Sequence, residues 1–452
     1  SRGFMHYDDD VADGEKGEHG VHQLRSARQI VSAAINWLTF NERDSSPFFA
    51  WVHIVDPHMP CEEHADEFGS DFSGRAYDAE VAYADKHIGR LITWLEEHDK
   101  LQNTILVVVG DHGEGLGEHG ESEHGYMVYE TTMHVPLIFR LPERLTNSRG
   151  QRVPQVVSLV DLYPTIRTLA GLPSEDTSGI SGQDLFRNMQ DVKTDAHAVY
   201  GESDAPLLEA GWSPLRSIAT DRWKYIRTQR PELYDLANDP NEVHNLVDKN
   251  PDILNDLEER LLDIESGMTP RFNQDAELKL QSGEIRALES LGYVGSVSEP
   301  APATVRRDIK DVIQFPDLLE KSMALVSAGK LDEASVILED IITHVPDYAR
   351  ALGTLGICRA TQKRGEEAVG YFRESLKYDP NLYFVQIPLA QTLIEMKRPE
   401  EALRHLKDFI IQFPDRPEFH YLSGEACEQL GRHGEAKKFF AAAEQLARHV
   451  PE

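Results

Sequence analysis

A period of 34 residues in the last third of the chain limits its fold more than any other feature of the sequence. Four alanines recur at this spacing, and a proline follows each of the first three by 12 residues. A small residue at a fixed position lets two helices pack closely, and proline ends a helix because it lacks a backbone N–H. Residues 313–448 are therefore predicted to form stacked helix pairs. The alanines are Ala334, Ala368, Ala402 and Ala436, and the prolines are Pro346, Pro380 and Pro414.

This pattern resembles the tetratricopeptide repeat family in its period, its small positions and its prolines. Gly356, Ala390 and Gly424 supply a second small residue in three of the repeats. Ser322 takes that place in the first repeat and Arg448 replaces the last proline, as is common in the terminal repeats of a solenoid. The resemblance implies an all-α solenoid of four repeats, and its extended concave surface implies a protein or peptide partner.

Apolar runs and amphipathic segments alternate through the first part of the chain. Residues 47–55, 104–109 and 135–141 are predicted strands, and residues 22–39 and 76–98 are predicted helices. This alternation is typical of an α/β domain with a mostly parallel sheet that is covered by helices on both faces. Functional sites in such domains lie beyond the carboxyl ends of the strands.

The segments that follow complete the predicted domain organisation. Residues 215–236 read as short antiparallel strands of a small tail sheet, and residues 251–265 read as a helix. A stretch rich in Ser, Pro and Ala then indicates a linker. We therefore predict a first domain at residues 1–293, a linker at 294–312 and the repeats at 313–448.

Asp111 and His112 directly follow the apolar strand TILVVV and lie between Gly110 and Gly113. Carboxylate and imidazole groups on rigid backbone are suitable ligands for a divalent metal, and glycine lets the chain turn sharply after the strand. The alternative is structural, with Asp111 as a helix cap and His112 on the surface. The neighbouring motifs favour the metal pair.

Several segments of the first 296 residues resemble the sulfatase family of the alkaline phosphatase superfamily. The resemblance implies an alkaline-phosphatase-like α/β fold and metal-dependent hydrolysis of a sulfate-ester substrate. It also implies one divalent ion, with Ca²⁺ favoured over Mn²⁺, that is held by two earlier acidic residues and by Asp111 and His112. The segments are WVHIVDPHMP, YDAEVAYADKHIGRLITWL, NTILVVVGDHGEGLGEHG, HGYMVYETTMHVPLIF, WKYI, ELYDLANDPNEVHNL and LESLGYVG.

The same resemblance assigns roles to three further histidines. His58 matches the histidine of the family's Pro-His-x-Pro motif, which contacts the sulfuryl oxygens. His124 falls where relatives carry a Lys or His that binds the ester and protonates the leaving oxygen, and an imidazole suits proton transfer because its pKa is near neutral pH. His53, at the end of a predicted strand, is either a supporting group in the substrate site or a core histidine.

One part of the family's site has no match in the sequence. The family's nucleophile lies in the pattern Cys/Ser/Thr-x-Pro/Ala-x-Arg, and no position here completes it. The segment GWSPLRS comes nearest, but Trp212 occupies the nucleophile's place. Asp8, Asp9 and Asp10 resemble a segment that follows the nucleophile and are not assigned to the metal. We therefore expect a sulfatase-like domain that lacks its N-terminal part and is inactive as this chain alone.

Two alternatives remain open. A phosphodiester or phosphonate monoester hydrolase of the same superfamily would place its metal at the same pair of residues. A catalytically dead hydrolase remnant would leave the chain as a repeat scaffold that binds partners. The nucleophile would distinguish these cases, because Cys or Ser favours sulfate esters and Thr favours phosphoryl transfer.

Charge and composition exclude several other classes of protein. The 46 basic and 77 acidic residues give a net charge of −31, which argues against binding to nucleic acid or to anionic membranes. No apolar run approaches the roughly 18 residues that a membrane span needs. Cys61, Cys358 and Cys427 lie too far apart to suggest a disulfide framework or a cysteine-based metal site. The sequence leaves the cellular compartment unknown, and only the family resemblance favours the periplasm or cell envelope.

Overall fold

The chain divides into two compact units, which are described separately. The first unit comprises Ser1–Asp111, Pro136–Val153 and Tyr163–Ile180, and the second comprises His112–Val135, Pro154–Leu162 and Ser181–Glu452. The structure is a computed structural model. It describes residues 4–8, 12–16, 22–42, 46–146, 150–172, 181–188, 198–268, 306–414 and 416–447.

Short strands and helices alternate along the chain before the repeats begin. The strands are β1 (Ala12–Lys16), β2 (His22–Leu24), β3 (Leu106–Val109), β4 (Leu137–Arg140), β5 (Val199–Ser203), β6 (Leu215–Ala219), β7 (Trp223–Arg227) and β8 (Glu232–Asp235). The helices are α1 (Ala27–Phe40), α2 (Ala65–Phe68), α3 (Ala76–Glu97), α4 (Glu130–Met133), α5 (Leu162–Leu169), α6 (Leu185–Asn188), α7 (Ala205–Ala210) and α8 (Pro251–Gly267).

Helices α1 and α3 pack against each other in the first unit. Helix α1 begins later than the sequence predicts because Ser26 and Gln29 form a capping box at its start, which satisfies backbone N–H groups of the first turn. The apolar faces of the two helices then meet in a small core that includes Leu38, Trp94 and Leu95.

The strand that leads to Asp111 has an antiparallel partner. Strand β3 pairs with β4 in the register Leu106↔Arg140 to Val109↔Leu137, and all sheets among the described residues are antiparallel. The predicted parallel pairing is therefore not observed there. Residues 47–55, predicted as a strand, have no ladder partner among the residues that the structure describes, and Trp51 is 71% exposed. An apolar pattern predicts burial, but a strand also needs an aligned neighbour for its backbone hydrogen bonds.

The small tail sheet is confirmed in the second unit. Strands β5, β6, β7 and β8 pair in chain order, each antiparallel to the next. Helix α8 covers one face of this sheet, where Leu257 and Leu261 contact Ile218, Tyr225 and Leu233. The sequence predicted the last three strands and the helix but did not identify β5.

Among the described residues from Gln314 onward, eight further helices form four helix pairs, which confirms the repeats. All four alanines of the 34-residue period are fully buried. A Cβ atom at Gly356 would lie 2.5 Å from the ring of Phe372, and one at Gly424 would lie 2.6 Å from the ring of Phe440. The small positions are therefore required by helix contact. The helices are α9 (Gln314–Ser327), α10 (Leu331–His344), α11 (Ala349–Thr361), α12 (Gly365–Tyr378), α13 (Tyr383–Glu395), α14 (Pro399–Gln412), α15 (Pro417–Gln429) and α16 (His433–Ala447).

The first repeats share a hydrophobic core with the residues that precede them. Residues 294–305 of the predicted linker lie outside the described residues, but the chain from Arg306 onward is packed. Ile309 is fully buried, and the ring of Trp212 lies 5.1 Å from the ring of Tyr348. The tail-sheet region and the first repeats are therefore one packed body. Within the described part of the chain, no helix has both the length and the apolar character that crossing a bilayer requires.

Candidate active site

The loop that follows Asp111, here called the site loop (residues 112–135), is held together by its own backbone. Gly113 donates its N–H to the carbonyl of Thr132 at 2.8 Å, and Gly115 donates to the carbonyl of Glu123 at 2.7 Å. These hydrogen bonds join residues that are distant along the loop. The site loop is therefore a compact structure, although its Gly-rich sequence suggests a long flexible connection.

Two glycines of the site loop are needed because backbone segments approach closely. A Cβ atom at Gly113 would lie 2.2 Å from the carbonyl oxygen of Thr131, and one at Gly115 would lie 2.6 Å from that of Glu121. Side chains cannot occupy such positions without displacing the backbone. The sequence predicted a sharp turn at Gly113, and the structure shows that close packing against α4 is what requires the glycine there.

His112 is oriented by a hydrogen bond to the backbone. Its Nδ1 lies 2.9 Å from the carbonyl oxygen of Gly113. A carbonyl only accepts, so Nδ1 carries the proton and donates it, and in the neutral ring Nε2 carries the lone pair. Metal-binding histidines are commonly fixed in this way, with one ring nitrogen donating to an oxygen and the other facing the ion. The geometry of His112 therefore fits a metal ligand.

His124 packs directly on His112, so the structure brings these two predicted site residues together. Their ring centroids are 3.9 Å apart and the rings are stacked. The Nδ1 of His124 donates to a carboxylate oxygen of Glu114 at 3.0 Å, and this bond raises the pKa of His124. The side chain of Glu114 is only 6% exposed. Glu114 thus orients His124.

The other predicted site residues lie in the first unit. Asp111 follows β3 and is exposed, and His53 is also exposed. His58 lies in a segment with two cis peptide bonds, here called the cis-proline segment (residues 56–60), and its Nδ1 donates to the carbonyl of Met59 at 2.6 Å. The ring thereby turns Nε2 away from its own backbone. That His58 and His53 approach His124 remains a prediction.

A partly buried group of ligand-type side chains supports the cis-proline segment. Asp56 accepts a hydrogen bond from the N–H of Ala27 at 2.6 Å, and Glu80 accepts one from the N–H of Glu62 at 2.9 Å. The Nε2 of His64 lies 3.0 Å from Glu80, and one ligand atom each of Asp56, His64 and Glu80 fall within 4.8 Å of one another. Burial and the neighbouring Glu80 raise the pKa of Asp56 to about 6. These contacts attach the segment to α1 and α3.

Glu121 is the buried centre of the site loop. Its carboxylate accepts hydrogen bonds from the N–H groups of Tyr126 and Met127 at 2.8 and 3.0 Å, and the residue is 4% exposed. Burial raises the pKa of Glu121 to about 7. The two hydrogen bonds fix the return of the loop just after His124.

A buried ion cluster joins the end of the site loop to the tail sheet. The ammonium of Lys224, on β7, lies 2.9 Å from Glu130 and 3.1 Å from Glu242. Glu242 also accepts a hydrogen bond from the N–H of Glu130 at 2.6 Å. Lys224 and Glu242 are 1% and 2% exposed, so both charges depend on this pairing.

Sequence reasoning did not identify Glu114, Glu121 and Lys224 as residues that hold the site loop in place. Glu114 and Lys224 each lie in a segment that carries the family resemblance, and Glu121 lies between two such segments, but Lys224 is far from the other two along the chain. Glutamates in a Gly-rich loop give no sign of burial in the sequence. The signal that was available is the set of motifs itself, because segments that are similar within a family are expected to meet around its site.

Comparison with protein families gives matches on both sides of the predicted linker. Residues 6–172 match the model described as Sulfatase, and residues 117–267 match N-sulphoglucosamine sulphohydrolase, C-terminal. Residues 319–382 and 387–451 match Tetratricopeptide repeat. The site loop and the Lys224 cluster both lie within the sulfatase matches.

Curated relatives show the same similarity over part of their length. Arylsulfatase K of Canis lupus familiaris is 34% identical over 200 residues, which cover 42% of this chain and 36% of that protein. The uncharacterized sulfatase YidJ of Escherichia coli (strain K12) is 30% identical over 281 residues, which cover 52% of this chain and 54% of that protein. The chain thus matches between a third and just over a half of these relatives and resembles sulfuric ester hydrolases.

Among solved structures, the putative sulfatase yidJ from Bacteroides fragilis is similar to part of this chain. It is 21% identical to this chain with a TM-score of 0.46, and the match covers 54% of this chain and 59% of that one.

The first prediction concerns the charge of Lys224. We expect Lys224→Met to lower the free energy of unfolding by about 3–5 kcal/mol, because two carboxylates lose their buried counter-ion. Urea unfolding followed by circular dichroism measures this loss. Adding Glu242→Gln to the Lys224→Met variant should recover part of it, since one uncompensated charge is removed.

The exposed Lys249 offers a matched control for this substitution. Lys249→Met should change the free energy of unfolding by no more than about 0.5 kcal/mol. Equal stability of the Lys224 and Lys249 variants would show that the buried cluster does not hold the loop on the sheet.

The second prediction concerns the pH dependence that Glu121 contributes. Its pKa of about 7 in the folded chain lies above the ordinary value, so its contribution to stability is full below the unfolded pKa and is lost as pH rises through about 7. Glu121→Gln keeps the acceptor oxygen but cannot ionise. We therefore expect this variant to gain stability relative to the parent between about pH 5 and about pH 8.

Urea midpoints across this pH range measure the effect. Glu259→Gln, at an exposed position of α8, serves as the control and should follow the parent protein throughout. A stability difference between Glu121→Gln and the parent that stays constant with pH would contradict the assignment.

Proposed function

We propose that this chain acts in metal-dependent hydrolysis of sulfate esters and binds a protein or peptide through its repeats. The proposal is supported by the matches of residues 6–172 to Sulfatase, of residues 117–267 to N-sulphoglucosamine sulphohydrolase, C-terminal, and of residues 319–382 and 387–451 to Tetratricopeptide repeat. The observation that best supports the hydrolytic role is the stacked pair of His112 and His124. Each ring donates through Nδ1 to an oxygen of the site loop, and these hydrogen bonds fix the orientation of both imidazoles.

Asp111 and His112 are the residues proposed to hold the divalent ion. They are adjacent in the chain at the end of β3, and they combine a carboxylate with an oriented imidazole. Ca²⁺ is the ion that the family resemblance favours, and Mn²⁺ also accepts this mixture of ligands. When bound, such an ion polarises the ester oxygens and offsets their negative charge.

His124 is proposed to bind the ester and to donate a proton to the leaving oxygen. Its Nδ1 is engaged by Glu114, so the proton for the substrate is carried on Nε2. The carboxylate of Glu114 stabilises the protonated ring, much as a buried carboxylate orients the histidine of other hydrolytic sites. Proton donation at this step prevents charge from accumulating on the departing alkoxide.

His58 is proposed to contact the oxygens of the transferring group, with His53 as a supporting residue. The hydrogen bond from Nδ1 to the carbonyl of Met59 holds the His58 ring in place. A donor placed on these oxygens stabilises negative charge as it develops in the transition state. The net charge of the chain is −31, so local donors of this kind are needed to hold an anionic ester.

The proposed partner role rests on the repeat helices. Stacked helix pairs present an extended surface that is suited to peptides, and the first two repeats are packed against the sulfatase region. Residues of the first repeats pack in one hydrophobic core with Met127, Val128 and Tyr129 of the site loop. A partner bound there would be held close to the part of the chain that is proposed to act on the ester.

The third prediction tests the metal assignment on the purified chain. We expect one equivalent of Mn²⁺ or Ca²⁺ to bind, and we expect Asp111→Asn and His112→Ala each to weaken binding by at least about tenfold. Isothermal titration calorimetry measures the affinity and the stoichiometry. Asp256→Asn and His433→Ala replace exposed residues of the same types and should leave both values unchanged.

Unchanged binding in both the Asp111 and the His112 variants would overturn the assignment. The same preparations, titrated with an aryl sulfate and with an aryl phosphonate, separate the sulfatase proposal from its phosphonate alternative. Metal-dependent binding of the sulfate ester supports the proposal, and binding of neither ester favours a scaffold. Turnover that Asp111→Ala abolishes would contradict the expectation that this chain alone is inactive.

A further inference from the structure

The last two repeats enclose a groove that the sequence did not single out. It lies between α13, α15 and α16 and has a volume of about 730 Å³. Cavities of this size accommodate several side chains of a ligand. We call it the terminal groove and define it by Ile387, Glu418, Tyr421, Glu425, Phe440 and Glu444.

The floor of the terminal groove is aromatic and accessible. Tyr421 is 52% exposed, and its ring lies 5.5 Å from the ring of Phe440. Phe440 takes this position because Gly424 has no side chain, since a Cβ there would meet the ring at 2.6 Å. The small residue of the repeat period thus also shapes the floor of the groove. An exposed aromatic pair in a concave site is suited to apolar side chains.

The wall of the terminal groove is acidic. Glu418, Glu425 and Glu444 line it, and no Lys, Arg or His is among its described lining residues. One carboxylate oxygen of Glu418 is buried without a hydrogen-bond partner. Glu418 lies in the first turn of α15, where the helix dipole favours a negative charge. The helix dipole does not supply a hydrogen-bond donor to the buried Glu418 oxygen. None of the described lining residues offers a cationic side chain to pair with this carboxylate.

We propose that the terminal groove binds a peptide segment in which apolar side chains are flanked by Lys or Arg. The apolar side chains would contact Tyr421 and Phe440, and the cationic groups would pair with Glu418 and Glu425. A cation near the Tyr421 ring would gain further stabilisation from its π face. This inference rests on the proposed partner role of the repeats and adds the chemistry of the partner and its position.

Charge argues against the other occupants of the groove. A second copy of this chain carries a net charge of −31 and would bring further negative charge to an acidic wall. An acidic peptide would meet the same repulsion. A purely apolar peptide would fill the floor but would leave the Glu418 oxygen buried and unsatisfied, which costs free energy.

The experiment selects random linear peptides by phage display on the immobilised full chain. We expect the selected peptides to be enriched in Lys or Arg next to Leu, Phe or Trp. The best peptide is then labelled and its affinity measured by fluorescence anisotropy. Tyr421→Ala should weaken binding by about tenfold, as expected for an exposed aromatic anchor. Glu418→Gln combined with Glu425→Gln should weaken binding and reduce its dependence on salt.

Matched controls are available on the neighbouring repeats. Tyr378 is 43% exposed on α12, outside the groove, and Glu400 is an exposed acid on α14. Tyr378→Ala and Glu400→Gln should leave the affinity unchanged. Tyr421 and the two glutamates are not core residues, so circular dichroism of their variants should match that of the parent.

The outcomes separate this inference from the proposed function. Acidic selected peptides, or no enrichment, would overturn the chemistry assigned to the groove. If Tyr421→Ala leaves the affinity for the selected peptides unchanged, the terminal groove is not their binding site. A partner role would then remain for another surface of the repeats. Loss of metal binding in the Asp111 and His112 variants is measured separately and does not depend on any of these results.

Discussion

The buried ammonium of Lys224 is the interaction on which the proposed site depends most. It pairs with Glu130 at the end of the site loop and with Glu242 beyond the tail sheet, although these residues are far apart along the chain. Removing such a charge from water is costly, so the cluster persists only when all three partners meet. This requirement links the position of the loop to the folding of the tail sheet. The site loop, which carries His112 and His124, is thereby held by residues that lie well outside its own segment.

A second level of support comes from glutamates inside the site loop. Glu114 orients His124, and Glu121 fixes the backbone that follows it. The loop also shares a hydrophobic core with the tail sheet and the first repeats, through residues such as Val128, Trp212 and Tyr348. The repeats are therefore not a separate module on a flexible tether. Their first helices pack in the same hydrophobic core as the site loop that carries His112 and His124, while the proposed peptide groove lies in the last repeats.

Features set by local spacing were predictable from the sequence. The 34-residue period predicted the repeat helices, because close helix contact requires a small residue at each fixed position. The strand that ends just before Asp111 and His112 was also predictable, because a short continuous apolar run is typical of a strand. Burial of Glu114 and Glu121 was not predictable, because it depends on residues that only the folded loop brings together. Residues 47–55 were predicted as a strand from their apolar pattern, but they have no ladder partner among the described residues. The sequence does not show whether a neighbouring strand is aligned with them.

The central claim is that the site loop presents the Nε2 atom of His112 to a divalent ion while Nδ1 stays on the backbone. Anomalous diffraction from crystals of this chain grown with Mn²⁺ tests it most directly, because the metal is then located without reference to activity. The account predicts an anomalous peak within about 2.5 Å of the His112 Nε2 atom, with Nδ1 still donating to the Gly113 carbonyl. A metal bound elsewhere with His112 unligated, or a His112 ring rotated to ligate through Nδ1, would contradict it.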